Sequence, residues 1–381
     1  MKRLGCLITV MVLVLGMLPV CVSAAPEIEA KSALLMDVAT GTVLYESNSH
    51  EALAPASVTK VMTMLLIMEA IDSGRIGWND TVTASEEAAA KGGSQVYLKV
   101  GETMSVSEMV KSIAVSSAND CACAMAEHIS GSESAFVDAM NARAKELGMN
   151  DTHFVNCTGL DDTEDAKKDH KTSAYDIALM SRQLLKYHLD IKKYTTIWMD
   201  TIRNGAFGLS NTNKLVRFYP GATGLKTGFT SDAGYCLSAS AERDGMELIA
   251  VVMGCETSQK RFAACKSLLD MGFANYAVIT PTMEENLTVP VKLGTADSVN
   301  AVPTSEAALL IDKSQLNMVN IRTELESEVT APVSKGQRLG TMTVKAGEQI
   351  LAQIPLVASE PVARLSWGQI FLDVLKAICM G

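Results

Sequence analysis

Histidine is scarce in this chain: five residues are scattered through 381, and none stands at a spacing from cysteine that resembles a metal site. No metal or other cofactor is therefore expected. A basic surplus is also missing, since 33 Lys and Arg face 43 Asp and Glu for a net charge of −10. An acidic body of this kind excludes nucleic acid as a partner. The nine cysteines do not form an even disulfide framework, because Cys6 and Cys21 fall within the N-terminal leader and an odd number remains. Cys121 and Cys123 sit among alanines, and Cys236 and Cys255 lie in apolar strand-like runs, so these read as small core residues.

Lys2 and Arg3 precede the apolar stretch Leu4 to Val20, and Val22-Ser23-Ala24 supplies small residues before a cut at Ala24/Ala25. This is the layout of a secretory signal peptide over residues 1–24, so export is expected. Its removal leaves an even more acidic chain. The remaining length allows two or three domains, and 48% hydrophobic content with a mean hydropathy of +0.17 fits a globular protein with membrane-facing pieces.

The stretch around which the chain is organised is Ala56-Ser57-Val58-Thr59-Lys60, at the head of the apolar run Val61 to Ile71. Pro55 favours an extended approach and an abrupt helix start. The run is apolar nearly all round, so the helix is expected in the middle of a domain. Ser57 and Lys60, three residues apart, share a face, which places a hydroxyl beside an amine at a helix N-terminus. Burial and the positive helix end both disfavour an ammonium, leaving Lys60 able to take the proton of Ser57. A serine acyl-transfer enzyme without a histidine base needs this arrangement, although the tetrapeptide pattern alone also fits a helix cap followed by a solvated lysine.

In chain order, Ser32–Asp37 and Thr42–Tyr45 read as a hairpin across Ala39-Thr40-Gly41. The Ser57 helix ends near Ser73-Gly74, and a mostly polar connection runs from Asp80 to Thr103. Ser105-Val106-Ser107-Glu108 is a capping box opening a helix to about Val115. A break at Ser116–Asn119 precedes a helix over Cys121–Ile129, and Ser132–Leu147 and Ser173–Tyr187 are further helices. From Gly221 the period becomes that of strands, with Gly234–Ala241 and Met246–Met253 around the turn Arg243-Asp244-Gly245, followed by a helix over Ser258–Tyr276. Strands at both ends with helices between imply an α+β fold, an antiparallel sheet with helices packed against it.

Beyond Tyr276 the chain turns rich in Val, Thr and Pro, and reads as a small separate β domain over residues 278–358 without a cluster for chemistry. The tail opens with Ser359 as N-cap and Pro361 in the first turn. Ser366, Gln369, Asp373 and Lys376 make a narrow polar face opposite Trp367, Ile370, Phe371, Leu375 and Ile378, so residues 359–381 are expected to lie on a membrane surface as an amphipathic anchor. Docking on its own β domain is the alternative for this helix.

Two further motifs complete the pattern. Ser117-Ala118-Asn119 lies at a break between helices, where hydroxyl and amide can face a cleft. Lys226-Thr227-Gly228 lies at the start of a strand and offers a cation, a hydroxyl and close approach for a ligand. Ser-x-x-Lys, Ser-x-Asn and Lys-Thr-Gly, in this order and these settings, are the set found in penicillin-binding proteins and class A β-lactamases. The chain resembles the serine-type D-alanyl-D-alanine carboxypeptidases, the low-molecular-mass penicillin-binding proteins, over nearly its whole length. The resemblance implies a penicillin-binding/β-lactamase-like domain over 25–277, with helices on both faces of its sheet. It implies Ser57 as nucleophile on the D-Ala-D-Ala end of a peptidoglycan stem peptide and Lys60 as base. Ser117 would relay a proton to the leaving D-alanine, and Asn119 would bind the substrate amide. Lys226 and Thr227, with Gly228 beside them, would hold the terminal carboxylate region, and the backbone N–H groups of Ser57 and Phe229 would form the oxyanion hole. Arg261 matches an arginine that helps bind the carboxylate in relatives, with Lys260 beside it as a competing candidate. β-Lactam antibiotics would acylate Ser57 and leave slowly, and the mature protein would sit on the outer face of the bacterial cytoplasmic membrane.

Three other readings stay open from the sequence. A β-lactamase on this scaffold lacks support, because no Glu-x-x-Leu-Asn-like segment lies between the second and third motifs, where Asn156-Cys157-Thr158-Gly159-Leu160-Asp161-Asp162 stands instead. A DD-endopeptidase or transpeptidase shares the motifs. A non-catalytic cell-wall scaffold would have little use for intact Ser57, Lys60 and Lys226.

Overall fold

The structure, a computed structural model, describes residues 27–282, 287–304 and 308–380. The leader read at residues 1–24 lies outside them. Five antiparallel strands form the main sheet: β1 (Ser32–Asp37), β2 (Val43–Ser47), β3 (Ala222–Thr230), β4 (Gly234–Arg243) and β5 (Met246–Cys255), in the order β2-β1-β5-β4-β3. The early and late strands of this domain join through the β1–β5 pairing, Leu35 opposite Ala250.

Strand alternation divides the core in two. Leu34, Met36, Ile249, Val251 and Met253 point to the face that carries most of the helices, while Ala33, Leu35, Leu248, Ala250 and Val252 point to the other. The first face is covered by α1 (Lys60–Asp72), α2 (Val106–Ser116), α3 (Asn119–Ser130), α4 (Glu133–Glu146) and α5 (Ala174–Tyr187). The second packs on α6 (Ser258–Asn275) through Ala264, Cys265, Leu268, Leu269 and Phe273. Helix α1 is buried from Lys60 through Met68, as its all-round apolar sequence requires. Cys121, Cys123, Cys157, Cys236, Cys255 and Cys265 are buried free thiols.

Several local expectations are corrected. Pro55 is not extended but near the helical region, and Ala56 takes a φ of +48°. Ala56–Thr59 then form a 3-10 turn, and the α-helix begins only at Lys60. The polar connection from Asp80 is partly ordered, with Thr81–Thr83 pairing with Thr103–Ser105 and a short helical turn at Glu86–Ala89. A hairpin, Met199–Ile202 with Phe207–Ser210, escaped the sequence reading because its strands are only four residues long.

The β-rich region forms its own six-stranded sheet from β6 (Thr288–Lys292), β7 (Ser298–Pro303), β8 (Val319–Leu325), β9 (Val329–Thr330), β10 (Arg338–Ala346) and β11 (Gln349–Ala358), in the order β8-β10-β11-β7-β6-β9. Its core of Val289, Val299, Leu339, Met342, Leu356 and Val362 is separate from the other two. The last helix, α7 (Trp367–Met380), starts seven residues later than the Ser359 cap suggested. The reason is Val362, which is buried in the β core and exchanges backbone hydrogen bonds with Val333, holding this stretch extended; Ser366 becomes the cap instead, its hydroxyl accepting from Gln369 N.

The turn that carries Ser57 is clamped from two sides. A Cβ on Gly228 of edge strand β3 would lie 2.6 Å from the Pro55 carbonyl oxygen, and one on Gly159 would fall on the Ala56 carbonyl. Gly159 also has a φ of +79°, which disfavours any side chain. We expect Gly159→Ala to lower the unfolding free energy by about 2 kcal/mol or more, read as a shifted urea midpoint; an unchanged midpoint would mean that the clamp is loose.

Candidate active site

Ser57 and Lys60 stand at the head of α1, with Lys226 of β3 near enough to feel the charge of Lys60; Thr227 follows on β3, and Ser117 and Asn119 stand at the α2–α3 junction. Lys60 Nζ lies 2.9 Å from Ser57 Oγ and donates to the Thr158 carbonyl at 2.8 Å. The amine is completely buried, and burial lowers Lys60 to about 7, opposed in part by Cys157 and Asp120. Burial, rather than the helix end or a second positive charge, thus dominates at Lys60. Ser57 itself is only partly buried, so the hydroxyl can be reached from outside while its amine partner cannot.

The second motif owes its shape to the helix break. Ser117 caps α2 in the left-handed conformation, φ +63°, and its N–H returns to the Ile113 carbonyl. Its Oγ is buried without a protein hydrogen-bond partner, and so is Asn119 Oδ1. Asn119 Nδ2 donates to the Gly92 carbonyl at 2.7 Å, and Asn119 N to the Ser94 carbonyl at 2.7 Å. The amide is therefore held by its nitrogen with its oxygen left to accept.

The third motif lies in the middle of β3 rather than at its start. Lys226 is fully buried and donates to the Thr227 carbonyl at 3.0 Å; burial, then the charges of Lys60 and Arg261, push its ammonium well below the ordinary lysine range. Thr227 Oγ1 donates to Thr212 Oγ1 at 2.7 Å. The close approach at Gly228 is made by the Ser57 turn, rather than by a ligand as the sequence suggested. Phe229 is exposed, with its ring 4.3 Å from that of Tyr235. Arg261 reaches from α6 to the Gly228 carbonyl at 2.8 Å and the Cys236 carbonyl at 3.3 Å, and its Nε has no partner. Lys260, the alternative, pairs outward with Glu256 and Glu29.

A family model described as D-alanyl-D-alanine carboxypeptidase matches residues 20–257, and one described as the C-terminal domain of penicillin-binding protein 5 matches residues 281–364. The chain is 45% identical over 355 residues to D-alanyl-D-alanine carboxypeptidase DacF of Bacillus subtilis, covering 91% of this chain and 88% of the relative. The crystal structure of penicillin binding protein 5 from Haemophilus influenzae is similar at a TM-score of 0.75 and 31% identity, over 89% of this chain and 99% of that one. Penicillin-Binding Protein D2 from Listeria monocytogenes, in its ampicillin-bound form, matches at 0.59 and 32% identity, over 65% of this chain and all of that one. The chain belongs to the D-alanyl-D-alanine carboxypeptidase family.

Within that family site, sequence reasoning missed the parts that act through backbone or from a distance. The Thr158 carbonyl is one, since a backbone acceptor leaves no trace in residue type. His170 is another: its Nδ1 accepts from Val155 N at 3.1 Å, so Nε2 carries the proton and donates to Thr59 Oγ1 at 2.8 Å, which in turn holds the Ala56 carbonyl. Burial, with the charges of His153, Lys171 and Lys60, keeps His170 neutral, pushed down to about 3.

Glu133 is the third. Its Oε1 accepts from Cys157 N and from the Cys157 thiol, both at 3.1 Å, while its Oε2 is paired with the Lys91 ammonium. Burial opposes its ionisation, but Lys91 and the Cys157 donors outweigh it and hold the carboxyl below its usual range. One oxygen thus steadies the loop whose Thr158 carbonyl holds Lys60; the other steadies Lys91, next to the Gly92 carbonyl that holds Asn119. Glu87, Cys123 and Glu133 also bring donor atoms within 4.8 Å of one another, but the Lys91 ammonium already pairs with both carboxylates, so this cluster is an ion pair rather than a metal cradle. We expect Glu133→Gln, which leaves the half-buried Lys91 with only the exposed Glu87 as an anionic partner, to cost about 1 kcal/mol or more of stability and to slow acylation of Ser57; unchanged acylation in a folded variant would show that the two walls hold without it.

Proposed function

We propose that the chain removes the terminal D-alanine from peptidoglycan stem peptides ending in D-Ala-D-Ala, by acyl transfer through Ser57. The observation that carries this reading is the fully buried Lys60 amine 2.9 Å from the Ser57 hydroxyl, lowered to about 7 and so able to accept a proton near neutrality. Ser57 Oγ attacks the carbonyl carbon of the penultimate D-alanine as its proton passes to Lys60 Nζ. The developing oxyanion is held by the backbone N–H groups of Ser57 and Phe229. The C–N bond then breaks, with Ser117 passing the proton to the departing amine, and D-alanine leaves. Water attacks the resulting ester as Lys60 takes its proton, the acyl C–Oγ bond breaks, and Lys60 returns the proton to Ser57 Oγ.

Binding falls to the groups left without protein partners. Asn119 Oδ1 accepts from the substrate amide, and Ser117 Oγ stands in the same wall. Thr227 is the exception, since its hydroxyl proton must turn from Thr212 Oγ1 to the terminal carboxylate when substrate binds, with Lys226 and Arg261 supplying positive field from buried positions. A β-lactam undergoes the same attack, but its leaving group stays tethered and blocks the path of water, so the penicilloyl ester persists.

The chain is proposed to run as an exported leader over 1–24, a catalytic domain over 25–277, the β domain over 278–358 and a membrane-lying tail over 359–381. No helix among the described residues is long and apolar enough to cross a membrane. The exposure of Trp367 (87%), Phe371, Leu372 and Ile378 along α7 supports a helix resting on the lipid surface. Removing residues 367–381 is expected to abolish sedimentation of the mature protein with anionic lipid vesicles; retained binding would move the anchor elsewhere.

Mass spectrometry after incubation with benzylpenicillin, and separately with a D-Ala-D-Ala peptide, is expected to show a stable adduct on Ser57 and release of free D-alanine. Fast penicillin turnover without D-alanine release would favour a β-lactamase, and neither product would leave an inert scaffold. Only neutral Lys60 can accept the proton, so the acylation rate should rise with pH through about 7 and then level off. Lys60→Ala should fold normally and lose acylation; labelling at the wild-type rate would remove Lys60 from the mechanism.

A further inference from the structure

Beside the second motif the chain holds an aromatic ring out in water by force of backbone geometry. Tyr97 has a φ of +59° and is 66% exposed, an unfavourable conformation for a bulky residue and one that burial does not reward. Both of its neighbouring amides are pinned: the fully buried Asp120 carboxylate accepts from Val96 N and Leu98 N, each at 3.0 Å. From the other side Arg203 donates to the Val96 carbonyl at 2.9 Å and the Tyr97 carbonyl at 3.4 Å, and is itself fixed by Glu102 at 2.6 Å. Asp120 directly follows Asn119, and Asn119 N is held by the Ser94 carbonyl, three residues before Tyr97. The ring is thus placed relative to the substrate-binding wall by short, charged connections.

Tyr97 stands at a cleft of about 560 Å3 lined by Val96, Lys99, Val100, Glu102, Arg203 and Phe207. The Phe207 ring lies edge-on to Tyr97, with centroids 6.4 Å apart, and the Arg203 guanidinium lies 5.3 Å from the Phe207 centroid. The cleft therefore offers aromatic faces with a polar rim. Its backbone edge is already used, because the amides of Val96 and Leu98 and the carbonyls of Val96 and Tyr97 are bonded to side chains. An extended peptide would find no ladder to join here. A pyranose ring suits the cleft better: its C–H face packs on an aromatic ring, and its hydroxyls meet the charged rim.

We propose that this cleft is a saccharide subsite for the cell-wall substrate, in which Tyr97 packs against a sugar of the glycan strand to which the stem peptide is attached. The proposal rests on the carboxypeptidase reading above and extends it from the peptide end to the carbohydrate.

The test compares D-alanine release by the full chain from a bare stem pentapeptide and from the same pentapeptide carrying the N-acetylglucosaminyl-N-acetylmuramyl disaccharide. The ratio of kcat/KM, sugar-bearing over bare, is expected to be about fivefold to tenfold in the wild type, the size of one aromatic packing contact. Tyr97→Ala should bring the ratio close to unity, and Tyr97→Phe should keep it. Tyr97→Gly relieves the backbone and removes the ring, so it should lose the ratio as Tyr97→Ala does. A wild-type ratio near unity, or a ratio that survives in Tyr97→Ala and Tyr97→Gly, overturns the subsite. Absence of D-alanine release from both substrates, with no penicillin adduct, overturns the carboxypeptidase reading and the subsite with it.

Discussion

The site depends on keeping one amine out of water. In solvent, Lys60 would be an ammonium at neutral pH and useless as a base. Its burial under α1 and the 157–159 loop lowers its proton affinity to the working range, and the cost of that burial falls on the surrounding fold. The amine still needs acceptors for its hydrogens, which explains the Thr158 carbonyl at 2.8 Å. Helix α1, apolar on every side, is the element that makes the pocket dry; the glycines at 159 and 228 let loop and strand close on it. The proposed base thus owes its lowered proton affinity to the whole packed domain, through segments far apart in sequence.

This distribution sets how much could be read from the sequence. The fold class followed from apolar periodicity, because alternation and helical spacing are local records of which side faces the core. The three motifs were legible because side-chain chemistry is concentrated there in fixed short spacings. What stayed hidden has no such record. Pro55 looked like an extended residue, yet contacts from Gly159 and Gly228 force a tight turn at Ala56. Ser359 looked like a helix cap, yet Val362 gains more by filling the β core than by joining a helix. Glu133 and Lys91, 42 residues apart, read as ordinary surface charges until the fold brings them together. His170 and Thr59 meet across an even longer separation.

The same contrast distinguishes α6 from α7. Both carry apolar residues at helical spacing, but α6 buries Leu268, Leu269 and Phe273 against the sheet, whereas Trp367, Phe371, Leu372, Val374, Leu375 and Ile378 of α7 stay exposed. A pattern of hydrophobic residues states that a face must be covered without stating by what. For α6 the cover is present in the fold. For α7 the described residues supply none; on the proposed reading a lipid surface is the cover.

The distribution of charge accounts for a preference for chain ends. Lys60, Lys226 and Arg261 crowd one buried region, and Lys226 and Arg261 are both held below their ordinary range, chiefly by burial. An internal peptide bond brings no charge to such a site. A terminal carboxylate brings the missing counter-ion, and its field favours a charged Lys226 while the hydrogen bond to Ser57 engages Lys60 as a neutral amine. On the proposed mechanism the substrate's own end thereby completes the electrostatics of the site. On that mechanism two lysines with the same chemistry would serve opposite purposes: Lys226 as the cation facing a carboxylate, and Lys60 as the free base beside a hydroxyl. What separates their roles is which partner each meets, a distinction set by strand β3 on one side and the Ser57 turn on the other.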